Sequence, residues 1–241
     1  MFDEIIIRTD KDLPSDLLNH PLMQYTRGGG YWVWKPYVIL TALVECSDDD
    51  ILVYSDCGNQ VFHDKEWDKY WTILKRKNGI FFRYGALVKQ RTRKNLLMQF
   101  NEPRFLRELY QIQGGFLILK RDAAPVIEKW LELMLLHPEF VVDVPEQERA
   151  LEDPCFIEHR HDQSVLSCLV YSHERSLKLK VLWQHSEWLD RFGQAIYNAR
   201  ISDDTVRSSF RYESLPRLLV RRFIINPFRS IRSFFFQHIA S

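Results

Sequence analysis

ILVYSDCGNQ (51–60) is an apolar run that ends in a lone carboxylate, Asp56, with Gly58 two residues further on. Such a run predicts a buried parallel strand with a polar carboxyl end. In open α/β sheets, ligands bind outside the carboxyl ends of the strands. A carboxylate there can bind a ribose hydroxyl or a divalent cation, or it can cap local amides in an Asp-x-Gly turn. Spacing alone leaves both interpretations open.

Apolar runs and amphipathic segments alternate along the chain. Strands are predicted at 2–9, 51–58, 80–84, 114–121 and 177–183. Helices are predicted at 64–79, 124–137 and 161–173, and another begins near Pro36. This alternation indicates an α/β fold with a mixed, mainly parallel sheet flanked by helices, which we place at residues 1–205.

Composition excludes several classes of protein. The chain has 241 residues, of which 46% are hydrophobic and 27% charged, as in a globular domain. Lys and Arg together number 33, and Asp and Glu 32, so the protein has no large positive net charge that would attract nucleic acid. No apolar run is long enough to span a membrane. The four cysteines are far apart and contain no CxxC pair, which favours a reducing, cytoplasmic location.

Residues 206–241 form a tail with a different composition. From Arg207 onward it holds seven arginines, one acid and seven aromatic residues. LPRLLVRRFII (215–225) predicts an amphipathic helix that should break at Asn226-Pro227, before a second short piece. Such a tail suits the anionic inner surface of a membrane, where the protein would be peripheral. The alternative is a helix pair packed on the domain or on a second subunit.

Three further segments carry candidate chemistry. Arg27-Gly-Gly-Gly precedes a helix and could bind an anion with help from Arg27 or Lys35, or it could be a plain loop. At the start of the helix at 161–173, Asp162 is favoured as a helix cap over a catalytic acid/base or metal-binding group. The glycines of QIQGG (111–115) could simply allow a tight turn.

Together, four segments in order resemble one family. They are RGGGYWVWKPYVIL (27–40), ILVYSDCGNQ (51–60), QIQGGFLILKRDAAPVIEKWLELM (111–134) and FIEHRHDQSVLS (156–167). They are similar to bacterial GT-A-type glycosyltransferases of capsular polysaccharide, O-antigen and lipopolysaccharide biosynthesis. The resemblance covers roughly residues 2–185 and leaves out the tail.

The resemblance implies transfer of a sugar from a nucleotide-sugar donor to a cell-surface glycan or lipid-linked acceptor. It places Asp56 at the first Asp of a D-x-D motif, and Gly58 stands where the second would be. A Mn²⁺ or Mg²⁺ ion would then rest on Asp56, with a histidine such as His159 or His161 as a second ligand. The leaving diphosphate needs positive charge. Candidates are Arg27, Lys35 and the basic cluster at 89–94.

The same resemblance assigns the other site residues. Asp162 is the catalytic candidate, orienting the donor sugar or the acceptor hydroxyl. The remaining donor-pocket residues are Gln113, Gly114, Gly115 and Gln163.

Two alternatives remain open. In this family a strand and helix normally precede the strand corresponding to FDEIII, so the resemblance implies that the usual first strand is lacking. A non-catalytic or truncated GT-A-like protein that binds a glycan or a partner enzyme is then the second candidate. The third is a metal hydrolase that uses Asp56 with His159 and His161.

Overall fold

A computed structural model describes residues 1–101, 103–184, 186, 189, 193–198, 214–229 and 231. The boundary predicted between residues 205 and 206 lies outside them, as does the aromatic run at 234–236. The described strands are β1 Leu52–Ser55, β2 Asn59–Val61, β3 Gly79–Leu87, β4 Tyr110–Ile112, β5 Phe116–Leu119, β6 Leu179–Trp183 and β7 Ile196–Asn198.

The described helices range from single turns to 13 residues. They are α1 Ser15–Leu18, α2 Gly28–Tyr31, α3 Trp34–Glu45, α4 Glu66–Leu74, α5 Val88–Arg91, α6 Lys94–Leu97, α7 Pro103–Leu106, α8 Ala124–Leu136, α9 His161–His173 and α10 Leu215–Val220. Short 3-10 turns lie at Asp10–Asp12, Pro21–Gln24, Arg121–Ala123, Pro138–Phe140 and Glu146–Leu151. The helices predicted near Pro36 and at 64–79, 124–137 and 161–173 are confirmed as α3, α4, α8 and α9.

The main sheet is mixed. β1 pairs with β5, and both β5 and β4 pair with β3, all antiparallel. Among the described pairings of this sheet, β3 with β6 is the parallel one. The mainly parallel sheet predicted from the sequence is therefore wrong, because an apolar run indicates burial on both faces and carries no information on strand direction. β1 is also a half-buried edge strand.

Side chains alternate between the two faces of the sheet and form two cores. Phe81 and Leu117 lie in the larger core with residues of α3, α8 and α9. Ile80, Phe82 and Phe116 point to the other face and pack with Trp67, Tyr70 and Leu74 of α4. The sheet is therefore covered by helices on both faces, and its end is left for the candidate site.

The N-terminal strand predicted at 2–9 is wrong. The structure has no strand there, and the side chains of Ile5 and Ile7 are exposed. Within this segment, Phe2 makes an edge contact with Trp67, and Arg8 pairs with Glu45 at 3.3 Å. Three consecutive isoleucines predict burial, but burial also requires a neighbouring strand, which the described residues do not supply here.

The break predicted at Asn226-Pro227 is also wrong. α10 continues as a π-helical stretch, Arg221–Ile225, and residues 226–229 are helical. A proline inside an α-helix removes one hydrogen bond and clashes with the carbonyl four residues before it. The wider π turn just before Pro227 accommodates both effects. No described helix combines the length and the apolar character needed to cross a membrane.

Candidate functional site

A break between β4 and β5 shapes the centre of the site. Both strands run along the same side of β3, and Gln113 continues the ladder by donating its main-chain N–H to Phe82 O at 2.8 Å. The chain then passes through Gly114 and Gly115. A Cβ on Gly115 would lie 2.7 Å from Asp56 Oδ2, and a Cβ on Gly114 would lie 3.0 Å from Asp162 Oδ2. The two glycines therefore let the main chain lie directly against two carboxylates.

Asp56 follows the last residue of β1 and is held by main-chain bonds. Its N–H donates to Gly115 O at 2.9 Å, and its C=O accepts from Asn59 N at 3.0 Å, as in a turn. The Asp56 carboxylate takes no part in these main-chain bonds. Its Oδ1 accepts a 2.7 Å hydrogen bond from the Tyr54 hydroxyl, and 40% of the side chain is exposed. Burial, and then the charge of Asp56, raise the pKa of Tyr54, so this hydroxyl stays a donor.

Lys35 joins the two carboxylates. It lies near the start of α3, and only 3% of its side chain is exposed. Its Nζ is 3.3 Å from Asp56 Oδ1 and 3.4 Å from Asp162 Oδ2. Burial alone would lower the pKa of Lys35, but the charges of Asp162 and Asp56 outweigh it and the pKa is raised. The lysine is therefore a fixed positive charge between two acids.

Asp162 is the second residue of α9, and the N-cap role favoured by its residue type is wrong. Arg160 occupies the cap position, and the Asp162 carboxylate points to Lys35 and Gly114. Burial raises the pKa of Asp162 to about 6, against the lowering effect of Lys35. Its Oδ2 is buried and has no hydrogen-bond donor of good geometry among the described residues, with Lys35 Nζ at ion-pair distance.

Two serines hold the start of α9 in register with the sheet. Ser167 Oγ accepts from the main-chain N–H of Ile112 at 2.9 Å, and Ser164 Oγ donates to Arg91 O at 2.7 Å. The serine spacing in HDQSVLS thus fixes Asp162 relative to the β4–β5 break.

Left-handed backbone lies on both sides of this centre. Glycines 28–30 have positive φ, and so do Tyr31, Trp32 and His161, which are not glycine. The His161 ring packs on Tyr31 and Trp32, with ring centroids 4.8 and 5.7 Å apart. Such backbone persists only where the surrounding contacts impose it. The glycine loop is therefore a rigid support beside Asp162.

The other predicted residues lie at or beside this centre. Gly58 is in the turn between β1 and β2, and the Gln163 side chain lies against Gly114. Gln113 accepts a 3.4 Å hydrogen bond from Ser186, and its buried Nε2 has no partner among the described residues.

The basic residues expected to meet a diphosphate are held by acids instead. Arg27 binds Asp143 at 3.0 Å, across the glycine loop. The cluster at 89–94 is engaged as well, through the pairs Lys89–Glu108, Arg91–Glu158 and Arg93–Glu148. The Lys94 ammonium lies 3.5 Å from the main-chain oxygen of Leu151. The positive charge in the sequence indicated a phosphate site. In the structure, most of these side chains instead form ion pairs with acids distant in the sequence.

The two histidines do not join Asp56. His159 is buried with Nδ1 accepting from Arg93 N and Nε2 beside Phe140 O, and burial lowers its pKa well below the usual value. His161 Nδ1 is 2.7 Å from Val141 O, and burial lowers its pKa also. The part of the chain that the structure describes has no group of three or more His, Cys, Asp or Glu side chains placed to hold a metal ion. The residues of a metal-hydrolase site are therefore not assembled.

A Mn²⁺ or Mg²⁺ ion does not fit the residues present between the two acids. The Lys35 ammonium faces both oxygens of Asp56, at 3.3 and 3.4 Å, and also meets Asp162. A dication in that position would have to displace a buried lysine. His161, the other ligand expected from the sequence, instead packs against the glycine loop.

Two contributors to the site were missed from the sequence. Tyr54 precedes Asp56 by two residues, and alternate residues of a strand share a face, so this spacing could have identified it. Asn59 donates to Gly115 O at 2.7 Å and ties the turn after β1 to the glycine pair. No local pattern marks that contact.

Comparisons with known proteins add one distant likeness. No protein-family model matches the sequence, and no curated protein matches it. Among solved structures, the chain is similar to apo mouse xyloside xylosyltransferase 1, with 12% identity and a TM-score of 0.38. The match covers 82% of this chain and 68% of the mouse chain. A likeness at this level carries no argument about activity.

Proposed function

We propose that this protein is a glycosyltransferase that moves a sugar from a nucleotide-sugar donor to a cell-surface glycan or lipid-linked acceptor. The observation that carries the proposal is the environment of the Asp162 carboxylate. Its Oδ2 is buried, lies 3.4 Å from Lys35 Nζ and accepts no hydrogen bond of good geometry from the described residues. A buried acceptor that lacks a well-aligned donor requires an explanation. A substrate hydroxyl would supply the donor.

Two separate acids suit two parts of such a donor. Asp56 is 40% exposed and can accept hydrogen bonds from ribose hydroxyls. With a pKa of about 6, Asp162 is largely ionised at neutral pH and can accept a hydrogen bond from a sugar or acceptor hydroxyl. Glycosyl transfer has an oxocarbenium-like transition state, which a nearby carboxylate stabilises. We assign Asp162 to orienting that hydroxyl, and we assign no stereochemical course.

The flanking residues would complete the pocket. Gly114 and Gly115 bring main chain against both carboxylates, so a sugar can approach the backbone closely. Gln113 has a buried Nε2 without a described partner, which is available to a hydroxyl oxygen, and Gln163 lies beside Gly114. Lys35 supplies the fixed positive charge of the centre. No step of the proposal uses a metal ion.

Nucleotide binding by the purified full chain tests the proposal. UDP, GDP, CDP and their common sugar conjugates are titrated by calorimetry, with and without Mn²⁺. We expect one nucleotide to bind saturably and Asp56→Asn to weaken it at least about ten-fold, since a hydrogen bond to a charged group contributes about 1.5–3 kcal/mol. Asp49→Asn, an exposed acid in the loop before β1, is the matched control.

The outcomes separate binding from turnover. Asp162→Asn should leave the nucleotide affinity within a few-fold and abolish release of the sugar from the bound donor. Absence of nucleotide binding by the folded wild-type chain refutes the proposal. Equal donor turnover by wild type and Asp162→Asn refutes the role given to Asp162.

A further inference from the structure

The C-terminal helical segment carries its apolar residues on the outside. Val220, Phe223, Ile224, Phe228 and Ile231 are all exposed, with Phe223 at 73% and Phe228 at 67%. Leu215, Leu219 and Ile225 are exposed as well, so apolar side chains cover much of the outer surface of the segment along its length. A contiguous exposed apolar face of this kind marks a protein or membrane contact.

The segment meets the domain through an apolar residue and a charged one. Leu218 is buried, but further along the contact is made by Arg229. Its guanidinium lies over the rings of Tyr110 and Trp183, 5.7 and 5.3 Å from their centroids. At Gly85 an added Cβ would be 3.0 Å from Arg229 Nη2, so the glycine leaves room for the guanidinium.

Charge and length indicate what covers this face. Residues 207–241 contain seven arginines and one acid. A two-fold contact between copies would bring the same positive surface together with itself, which is unfavourable. Anionic lipid headgroups would neutralise it. The helical residues 215–229 measure about 22 Å, short of the roughly 30 Å hydrocarbon core, so the segment suits the plane of the interface.

We infer that residues 215–231 are a membrane-docking face whose partner is an anionic lipid surface. The exposed stripe enters the boundary between headgroups and acyl chains, and the arginine-rich composition attracts the lipid phosphates. Arg229 on Tyr110 and Trp183 fixes the helix to the domain, so the whole protein is held at the surface. The inference goes beyond the proposed transfer activity and does not depend on it.

Vesicle co-sedimentation of the full chain tests the inference. The probes are vesicles of phosphatidylcholine mixed with phosphatidylglycerol, and vesicles of phosphatidylcholine alone. We expect binding to the anionic vesicles, weaker binding to the neutral ones, and a loss in high salt. The double variant Phe223→Ser/Phe228→Ser should lose about ten-fold in lipid affinity for each phenylalanine. Leu136→Ser, an equally exposed apolar residue at the end of α8, should bind as wild type does.

Each other outcome overturns the inference. Wild type that stays in the supernatant with anionic vesicles contradicts it, and so does a double variant that binds as wild type. Sedimentation equilibrium tests whether a second copy of the chain, rather than a membrane, occupies the face. A wild-type dimer that the double variant dissociates, with no vesicle binding, would make the stripe a contact between copies. Because both phenylalanines are exposed, circular dichroism should show the variants folded.

Discussion

Replacing Asp162 by asparagine should make the protein more stable in a pH-dependent way. The side chain is 2% exposed, and burial raises its pKa from 3.8 to about 6 despite the attraction of Lys35. The folded state therefore holds the proton more tightly than the unfolded chain does. The resulting stability is fully present below about pH 3.8 and is lost as the pH rises through about 6. Asparagine has nearly the shape of the protonated acid and no charge to bury.

The size of the stability difference follows from the shift in the pKa of Asp162. A rise of about two pKa units corresponds to about 3 kcal/mol of unfolding free energy. Asp162→Asn should therefore exceed wild type by about 3 kcal/mol at pH 7.5 and match it near pH 4, where both side chains are neutral in the folded state.

Urea denaturation at a series of pH values between 4 and 8 measures this difference. Glu128→Gln, the same chemical change on the exposed surface of α8, controls for loss of a carboxylate. A constant difference between wild type and Asp162→Asn across the series would refute the reasoning. A variant less stable than wild type at pH 7.5 would refute it too, since it would mean that the ion pair with Lys35 outweighs the burial of the charge.

Two more substitutions examine the same centre. Gly115→Ala places a Cβ 2.7 Å from Asp56 Oδ2. Nucleotide affinity measured by calorimetry should therefore fall at least about ten-fold, while the melting temperature changes little. An unchanged affinity would contradict the close approach of the main chain to Asp56. Lys35→Met leaves two carboxylates without their cation, one of them buried, and should cost about 3–5 kcal/mol in urea denaturation. The cost should be larger at pH 8 than at pH 5, because Asp162, with its pKa raised to about 6, ionises between these values. Lys129→Met on the surface of α8 is its control, and an equal loss in both variants would contradict the role of Lys35.

Local patterns predicted several of the helices well. α3, α8 and α9 have apolar spacing and boundary residues that need no knowledge of the rest of the chain. Asp56 is singled out by its place at the end of an apolar run, where a side chain can face a ligand, whereas the catalytic role of Asp162 rests on the family resemblance. The resemblance also places Gly114 and Gly115 in the donor pocket, and the structure puts both against the two carboxylates.

Properties that depend on pairing across the chain were not predictable. Strand direction in the sheet depends on neighbours that an apolar run does not identify. The isoleucines at 5–7 have the composition of a buried strand but lack a described partner. Lys35 was expected at a diphosphate, yet its Nζ lies between Asp56 and Asp162, from distant parts of the chain. Ion pairs over such distances leave no local signature.

The parallel pairing of β3 with β6 has a consequence for biosynthesis. Gly79 is opposite Leu179, and Arg83 is opposite Trp183, so the partners are separated by about 100 residues of chain. Ribosomes add roughly 5–20 residues per second, so one edge of β3 stays unpaired for about 5–20 s after its synthesis. During that interval a strand rich in phenylalanine is open to pairing with other nascent chains. Growth at lower temperature or with chaperones should therefore raise the yield of folded protein.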